Sequence, residues 1–121
     1  MATLYENRST ANFLVSEANG MYRSRDEGTV AAGAAPGLLA GTILGKLTAG
    51  GNFVALDTAV ATGAENVSGI LFEEAIGTVK RTIVVRDCEV NGAHLIYPNG
   101  ATDNDKATIN TDLAALGIIV R

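Results

Sequence analysis

The sequence has little of what disulfide-bonded, membrane-spanning or secreted proteins are built from. It contains a single cysteine, Cys88, so no disulfide can form within the chain, and it contains no tryptophan. Aromatic residues make up 5% of the chain, so the core has to consist mainly of Ala, Val, Leu and Ile. No apolar run approaches the roughly 20 residues needed to cross a bilayer. The N-terminus also lacks a basic segment followed by an apolar one, so no secretory signal is predicted.

The sequence also lacks a large excess of charge of either sign. Nine basic residues stand against thirteen acidic ones, which gives a net charge of −4, and the basic residues form no run. Electrostatic binding to nucleic acid is therefore not expected. The length of 121 residues suits one domain. An apolar fraction of 47% and a mean hydropathy of +0.21 are high for a small soluble monomer, which favours an oligomer that hides apolar surface.

Short apolar runs separated by turns predict a mainly β body. Two runs, Thr42–Thr48 and Phe53–Leu56, flank the pair Gly50-Gly51 and predict a β-hairpin, with Ile43 and Leu44 on opposite faces. Further strands are predicted at Thr29–Ala32, Ser68–Phe72, Val79–Arg86, Ala93–Tyr97 and Ile118–Val120.

One short helix is predicted near the C-terminus. Asn110 or Thr111 can cap it, Leu113–Leu116 form its body, and Gly117 supplies a left-handed stop. The predicted helix is only about two turns long, so it needs packing to be stable.

Residues 1–27 differ from the body, which we assign to residues 28–121. They carry mixed charges and two apolar islands, Leu4-Tyr5 and Phe13-Leu14-Val15. The pattern fits an extended N-terminal arm with two points of attachment, or a frayed terminus.

Patterns that suggest catalysis or metal binding are incomplete. Gly41–Lys46 resembles a phosphate-binding loop, but it has one residue too few between the glycines, and Leu47 follows the lysine. Asp103-Asn104-Asp105 resembles the start of a calcium loop whose later ligands are missing, so we interpret it as a solvated acidic turn. Cys88 and His94 lack the orienting groups of a nucleophilic pair, so Cys88 is predicted to be a small buried apolar residue. A metal held by three copies of His94 on a threefold axis is a separate hypothesis.

The order and spacing of these pieces resemble the lambda-type head decoration proteins of tailed bacteriophages. The resemblance covers roughly residues 20–121. The pieces that carry it are Ser24-Arg25-Asp26, Leu39–Lys46, Ala55-Leu56-Asp57, Gly69-Ile70-Leu71, Thr82–Asp87, Val90-Asn91 and Leu116-Gly117-Ile118.

The resemblance implies a small β-clip-like or β-tulip body without enzymatic activity or cofactor. It implies a homotrimer on the outer surface of the virion head, made in the host cytoplasm, that clamps major capsid subunits and contacts neither nucleic acid nor membrane. By position, the N-terminal arm would reach the capsid. The residues expected to contact the capsid are Leu4, Tyr5, Asn12, Phe13, Leu14 and Val15. Two other hypotheses stay open: a β-rich tail or spike module, and a small trimeric nucleotide hydrolase.

Overall fold

The computed structural model describes residues 10–17 and 21–121, and within these ranges the chain is mainly β, as predicted. A 3-10 helix over Gly92–His94 lies between the seventh strand and the second α-helix. The elements in chain order are β1 (Leu14–Glu17), α1 (Met21–Ser24), β2 (Arg25–Ala31), β3 (Ile43–Lys46), β4 (Phe53–Ala55), β5 (Val67–Leu71), β6 (Thr78–Val84), β7 (Cys88–Val90), α2 (Asp103–Ala115) and β8 (Ile118–Val120).

Five of these strands close into a barrel in the order β2-β4-β3-β5-β6. The predicted hairpin is confirmed, because β3 and β4 pair antiparallel within it. The longest pairing joins β2 and β6, whose antiparallel register runs over seven residues. By contrast, β2 and β4 are parallel and meet at one register pair, Val30 with Phe53. The barrel therefore closes through its shortest strand contact.

Strands β3, β5 and β6 carry apolar side chains on both faces, because neighbouring residues of a strand point to opposite sides. Leu44 points into the barrel, whereas the adjacent Ile43 points away from it into a second core. The buried residues of the barrel interior are Val30, Leu44, Phe53, Leu71, Ala75 and Ile83. The barrel residues that face the second core are Ile43, Leu56, Ile70 and Val84.

A second layer covers the outer side of this wall. It consists of helix α2 and a three-stranded sheet in the order β1-β7-β8, with β1 antiparallel and β8 parallel to β7. Cys88 and Val90 of β7, Ile118 of β8, and Ile109 and Leu113 of α2 all pack into the second core. The barrel wall is thus shared by two apolar cores, one on each side.

The strand predicted over Ala93–Tyr97 is wrong. Its first residues belong to the 3-10 helix, whose N-cap residue Asn91 accepts a hydrogen bond through Oδ1 from the backbone N–H of Ala93 at 3.0 Å. An Asn side chain that satisfies a nearby N–H group competes with sheet pairing. Further along, Ile96 forms an isolated parallel bridge to the residue that precedes β3.

The predicted start of the C-terminal helix is also wrong. Helix α2 begins at Asp103 and is 13 residues long. Thr102 and Asp105 form a capping box, in which each side chain accepts a hydrogen bond from the other residue's backbone N–H. The supposed acidic turn is therefore the first turn of the helix, where carboxylates interact favourably with the helix dipole.

The sequence signal of helix α2 is weak, because the helix has almost no apolar stripe. Of its 13 residues, Ile109 and Leu113 are the buried ones. The predicted stop is confirmed, since Gly117 follows the helix with a φ of 87°.

Part of the predicted N-terminal arm lies within the sheets. Strand β1 is paired with β7, and β2 begins at Arg25, ahead of the predicted boundary at residue 27. Residues 1–9 lie outside the described residues, and an extended arm there stays a prediction.

Gly45 lets β3 approach the loop that follows β4. A Cβ atom on Gly45 would lie 2.3 Å from the carbonyl oxygen of Ala64, which also accepts a hydrogen bond from the N–H of Asp57. Gly45 thus allows a close backbone approach within a hairpin strand, and it does not belong to a phosphate-binding loop.

We predict that Gly45→Ala lowers the free energy of unfolding by about 3 kcal/mol, because the methyl group would displace a hydrogen-bonded backbone. Gly50→Ala is the matched control, since a Cβ there meets nothing within 4 Å and only the φ of +83° opposes it. That change should cost about 1 kcal/mol. Chemical denaturation of both variants measures the difference, and equal losses would contradict the steric explanation.

Candidate functional site

Of the residues predicted to contact a partner, some lie outside the described residues and others lie in or beside β1. Leu4 and Tyr5 lie outside the described residues. Phe13, in contrast, is fully buried in the second core, and its carbonyl oxygen accepts a hydrogen bond from the N–H of Asn91 at 2.7 Å. Leu14 is half-buried against the same core. These two side chains attach β1 to the body of the chain itself.

A turn leads into β1 and orders the start of the described chain. Ala11 has a φ of 58°, and its N–H donates a hydrogen bond to the carbonyl oxygen of Phe72 at 2.8 Å. The neighbouring Asn12 is half-buried, and its Oδ1 has no hydrogen-bond partner among residues 10–17 and 21–121. The turn places Thr10, and therefore the point where residues 1–9 join, beside the barrel end of β5.

Strand β1 presents Val15 to solvent through an irregularity in its pairing. Leu14 is opposite Val90 and Ser16 is opposite Glu89, so a step of two residues along β1 corresponds to a step of one residue along β7. This bulge leaves Val15 without a register partner and 55% exposed.

The exposed side of the three-stranded sheet forms a continuous surface around this residue. Ser16, Glu89 and Ile119 are direct register neighbours across the three strands, and Ile119 is 40% exposed. Arg121 Nη2 lies 2.8 Å from Glu89 Oε1, and this hydrogen bond lowers the pKa of the Glu89 carboxyl. We call Val15, Ser16, Glu89, Ile119 and Arg121 the outer sheet face. It combines two exposed apolar side chains with one ion pair.

A half-buried ionic cluster holds the end of β1 against the start of β2. Arg25 donates two hydrogen bonds to the Glu17 carboxylate, 2.6 Å from Nη2 to Oε1 and 2.9 Å from Nε to Oε2. The hydroxyl of Ser24, which is fully buried, also donates to Glu17. The Arg25 guanidinium lies 4.1 Å from the centre of the Phe72 ring. The bonds from Arg25, followed by that from Ser24, lower the pKa of Glu17 even though burial opposes this shift.

We predict that Glu17→Gln lowers the free energy of unfolding at neutral pH by about 1–3 kcal/mol, because charge-assisted bonds are lost. The folded-state pKa lies below the ordinary value of 4.5, so the stabilisation is complete above pH 4.5 and is lost as the pH falls through the folded pKa. Denaturation across this pH range should show the wild type and variant converging in acid.

Glu27→Gln is the control for this prediction. Glu27 is 69% exposed and its carboxylate is 3.9 Å from Lys80, so its loss should change stability by less than about 0.5 kcal/mol. A Glu17→Gln variant that loses no more than this control would contradict the role of the cluster.

Cys88 and His94, the thiol and the imidazole considered as a nucleophilic pair, lie in different environments. Cys88 is 5% exposed, and burial, followed by the Glu17 and Asp87 carboxylates, raises its pKa to about 12. His94 is exposed at the end of the 3-10 helix. The prediction of a small buried Cys88 is confirmed, and its thiol is protonated at neutral pH.

We predict that Cys88 in the folded protein reacts with a thiol reagent at neutral pH at least about a hundredfold more slowly than in denaturant, since both burial and protonation protect it. A time course with a chromogenic disulfide measures this, and Cys88→Ala gives the background. Equal rates in the two states would contradict the placement of this residue.

Among residues 10–17 and 21–121, no three or more His, Cys, Asp or Glu side chains are grouped so that they could hold a metal ion. In the same ranges, neither α1 nor α2 has the length and apolarity of a membrane-crossing helix.

The sequence model of the family described as bacteriophage lambda head decoration protein D matches residues 3–118. The chain belongs to this family. The match spans nearly the whole sequence and includes Val15, Ser16 and Glu89 of the outer sheet face, whereas Ile119 and Arg121 lie just beyond it. No curated protein sequence matches the chain at a significant level.

Membership gives the chain a biological setting. The family is one of structural phage proteins, which supports a role in capsid decoration, association with the phage capsid, and a place in the virion head. The residues of the outer sheet face that sequence reasoning missed are Glu89, Ile119 and Arg121. Their signal is faint, because Glu89 alternates with buried Cys88 and Val90 over only three residues, and Ile119 lies within a continuous apolar run.

Proposed function

We propose that this protein binds the outer surface of the expanded phage head as a homotrimer and stabilises the head by bridging neighbouring major capsid subunits. The observation that carries the proposal is the family match over residues 3–118. The protein acts by binding alone, without cofactor or chemical step, and its net charge of −4 suits a site away from the packaged nucleic acid.

The outer sheet face is the part of the body best suited to contact the capsid. Val15 and Ile119 offer exposed apolar surface, and Glu89 is already neutralised by Arg121. A paired charge at the rim of an interface costs less to desolvate than an isolated one. The face also includes β1, the strand that follows the N-terminal segment, so the body and residues 1–9 can contact the capsid on the same side.

The predicted contact residues divide into two roles under this proposal. Leu4 and Tyr5 would bind the capsid directly, together with Val15. Phe13 and Leu14 would instead fix β1 to the body, because Phe13 is fully buried. Asn12 belongs to the turn that sets the direction in which the N-terminal segment leaves. The capsid-binding set thus extends from residues 1–9 onto the outer sheet face.

Binding through such a segment has a defined thermodynamic requirement. Ordering it costs about 1–2 kcal/mol per residue in backbone entropy, which backbone pairing and apolar contacts must offset. Strand addition supplies both, and β1 pairs only with β7 among the described strands, leaving its other edge for such pairing. Three copies in one trimer would further combine weak contacts through effective concentration.

We predict that deletion of residues 2–9 leaves the fold intact, because Phe13 and β1 remain, but weakens binding to expanded heads at least about tenfold. Ile119→Lys should have a similar effect through the outer sheet face. Co-sedimentation with expanded heads measures binding, and thermal unfolding confirms that each variant is folded.

Val60→Lys is the matched control, since Val60 is 37% exposed, lies in the loop between β4 and β5, and is not part of the outer sheet face. It should bind like the wild type. Undiminished binding by the deletion variant would contradict the role of the N-terminal segment. Failure of the wild type to bind heads would overturn the proposed function itself.

A further inference from the structure

One end of the barrel carries no formal charge along three converging segments. Residues 28–45, 75–79 and 90–102 contain no Asp, Glu, Lys or Arg. Backbone pairing brings them together, because Leu38 forms a bridge with Ala75 and Thr42 forms one with Ile96. In a chain where 18% of residues are charged, the surface around these two bridges is therefore built mainly from uncharged residues.

Part of this surface is an exposed apolar turn. Ala34, Ala35 and Pro36 are exposed, and so is the adjacent Ile76, at 42%. We call these four residues the end turn. They are held rigidly, because Leu38 and Ala75 exchange two backbone hydrogen bonds of 2.8 and 2.9 Å, and the N–H of Gly77 donates to Gly33 at 2.7 Å. A surface ordered in advance loses little entropy when it binds.

Beside the end turn lies a groove with a volume of about 520 Å³, lined by both apolar and polar residues. Asp57 is the one charged residue that lines it, and its carboxylate already accepts a hydrogen bond from the N–H of Ala59 at 3.0 Å. We call this the end groove. Its apolar lining includes Leu38, Leu39, Ala55, Leu56, Ile96 and Pro98.

We propose that copies of this chain associate through this end of the barrel, with the end turn of one copy docking in the end groove of the next. The inference rests on the proposed function in that it names the surface by which the trimer forms. Copies with a net charge of −4 repel one another, so their approach has the lowest electrostatic cost where charged residues are fewest, and Asp57 is the one charged residue at this contact. Interface cores are depleted in charged residues, because burying a charge requires its desolvation.

The arrangement is compatible with a closed ring. The end turn and end groove are different patches of one chain, so their contact is heterologous, and repetition about a rotation axis satisfies both patches of every copy. The end turn supplies small apolar side chains and Ile76, which match the apolar part of the groove lining. Association at this end leaves the outer sheet face available for the capsid.

The test compares two matched lysine variants of the full chain. Ile76→Lys places a charge in the end turn, and Ile119→Lys places one in the outer sheet face, at isoleucines that are 42% and 40% exposed. We expect Ile76→Lys to weaken self-association roughly tenfold or more and to shift the mass measured by light scattering towards the monomer. Ile119→Lys should keep the wild-type mass and lose head binding.

Two further variants examine each side of the contact. Ala34→Glu, in the end turn, repeats the test should Ile76→Lys fail to fold by circular dichroism. Ala55→Glu, at the exposed rim of the end groove, should also dissociate. Wild-type mass in Ala55→Glu, or in both end-turn variants, would overturn the docking, and so would a wild type that is monomeric in the absence of heads. Ile76→Lys that keeps its mass but loses head binding would assign this end to the capsid instead.

Discussion

The barrel wall packs apolar side chains on both of its sides, and this constraint accounts for the rest of the architecture. Pairs of neighbours such as Ile43 and Leu44 face opposite directions, so closing the barrel buries only half of the apolar surface of its strands. The remaining half would face water without a covering layer. Helix α2 and the β1-β7-β8 sheet supply this layer, so they are integral to the fold rather than additions to a finished barrel.

Because the covering layer includes β1, the residues that anchor this strand to the body differ from the residue that it exposes. Phe13 is buried in the second core, and the Glu17–Arg25 cluster holds the other end of β1 against the barrel. Between these two attachments, the bulge exposes Val15. A strand fixed at both ends presents its exposed side chain at a constant place on the body.

The sequence predicts those parts of the fold whose signals are local. Two apolar runs around Gly50-Gly51 predict the hairpin, and Gly117 predicts the end of α2. Both signals work because turn and stop residues act on their immediate neighbours. The start of α2 was missed, since its capping box resembles an acidic turn and only Ile109 and Leu113 are buried. The residues that share the outer sheet face are not predictable from local signals either. Ile119 and Glu89 become neighbours through pairing between distant strands, which residue order does not reveal.

The single register pair between β2 and β4 determines where the barrel is weakest. Every other strand contact in the barrel has at least two register pairs, so thermal breathing should begin at Val30 and Phe53. Phe53 is covered there by Lys46, whose Nζ lies 5.3 Å from the ring centre. Amide exchange in β4 should therefore be faster than in β6, because the seven-residue register between β2 and β6 keeps that side of the barrel closed.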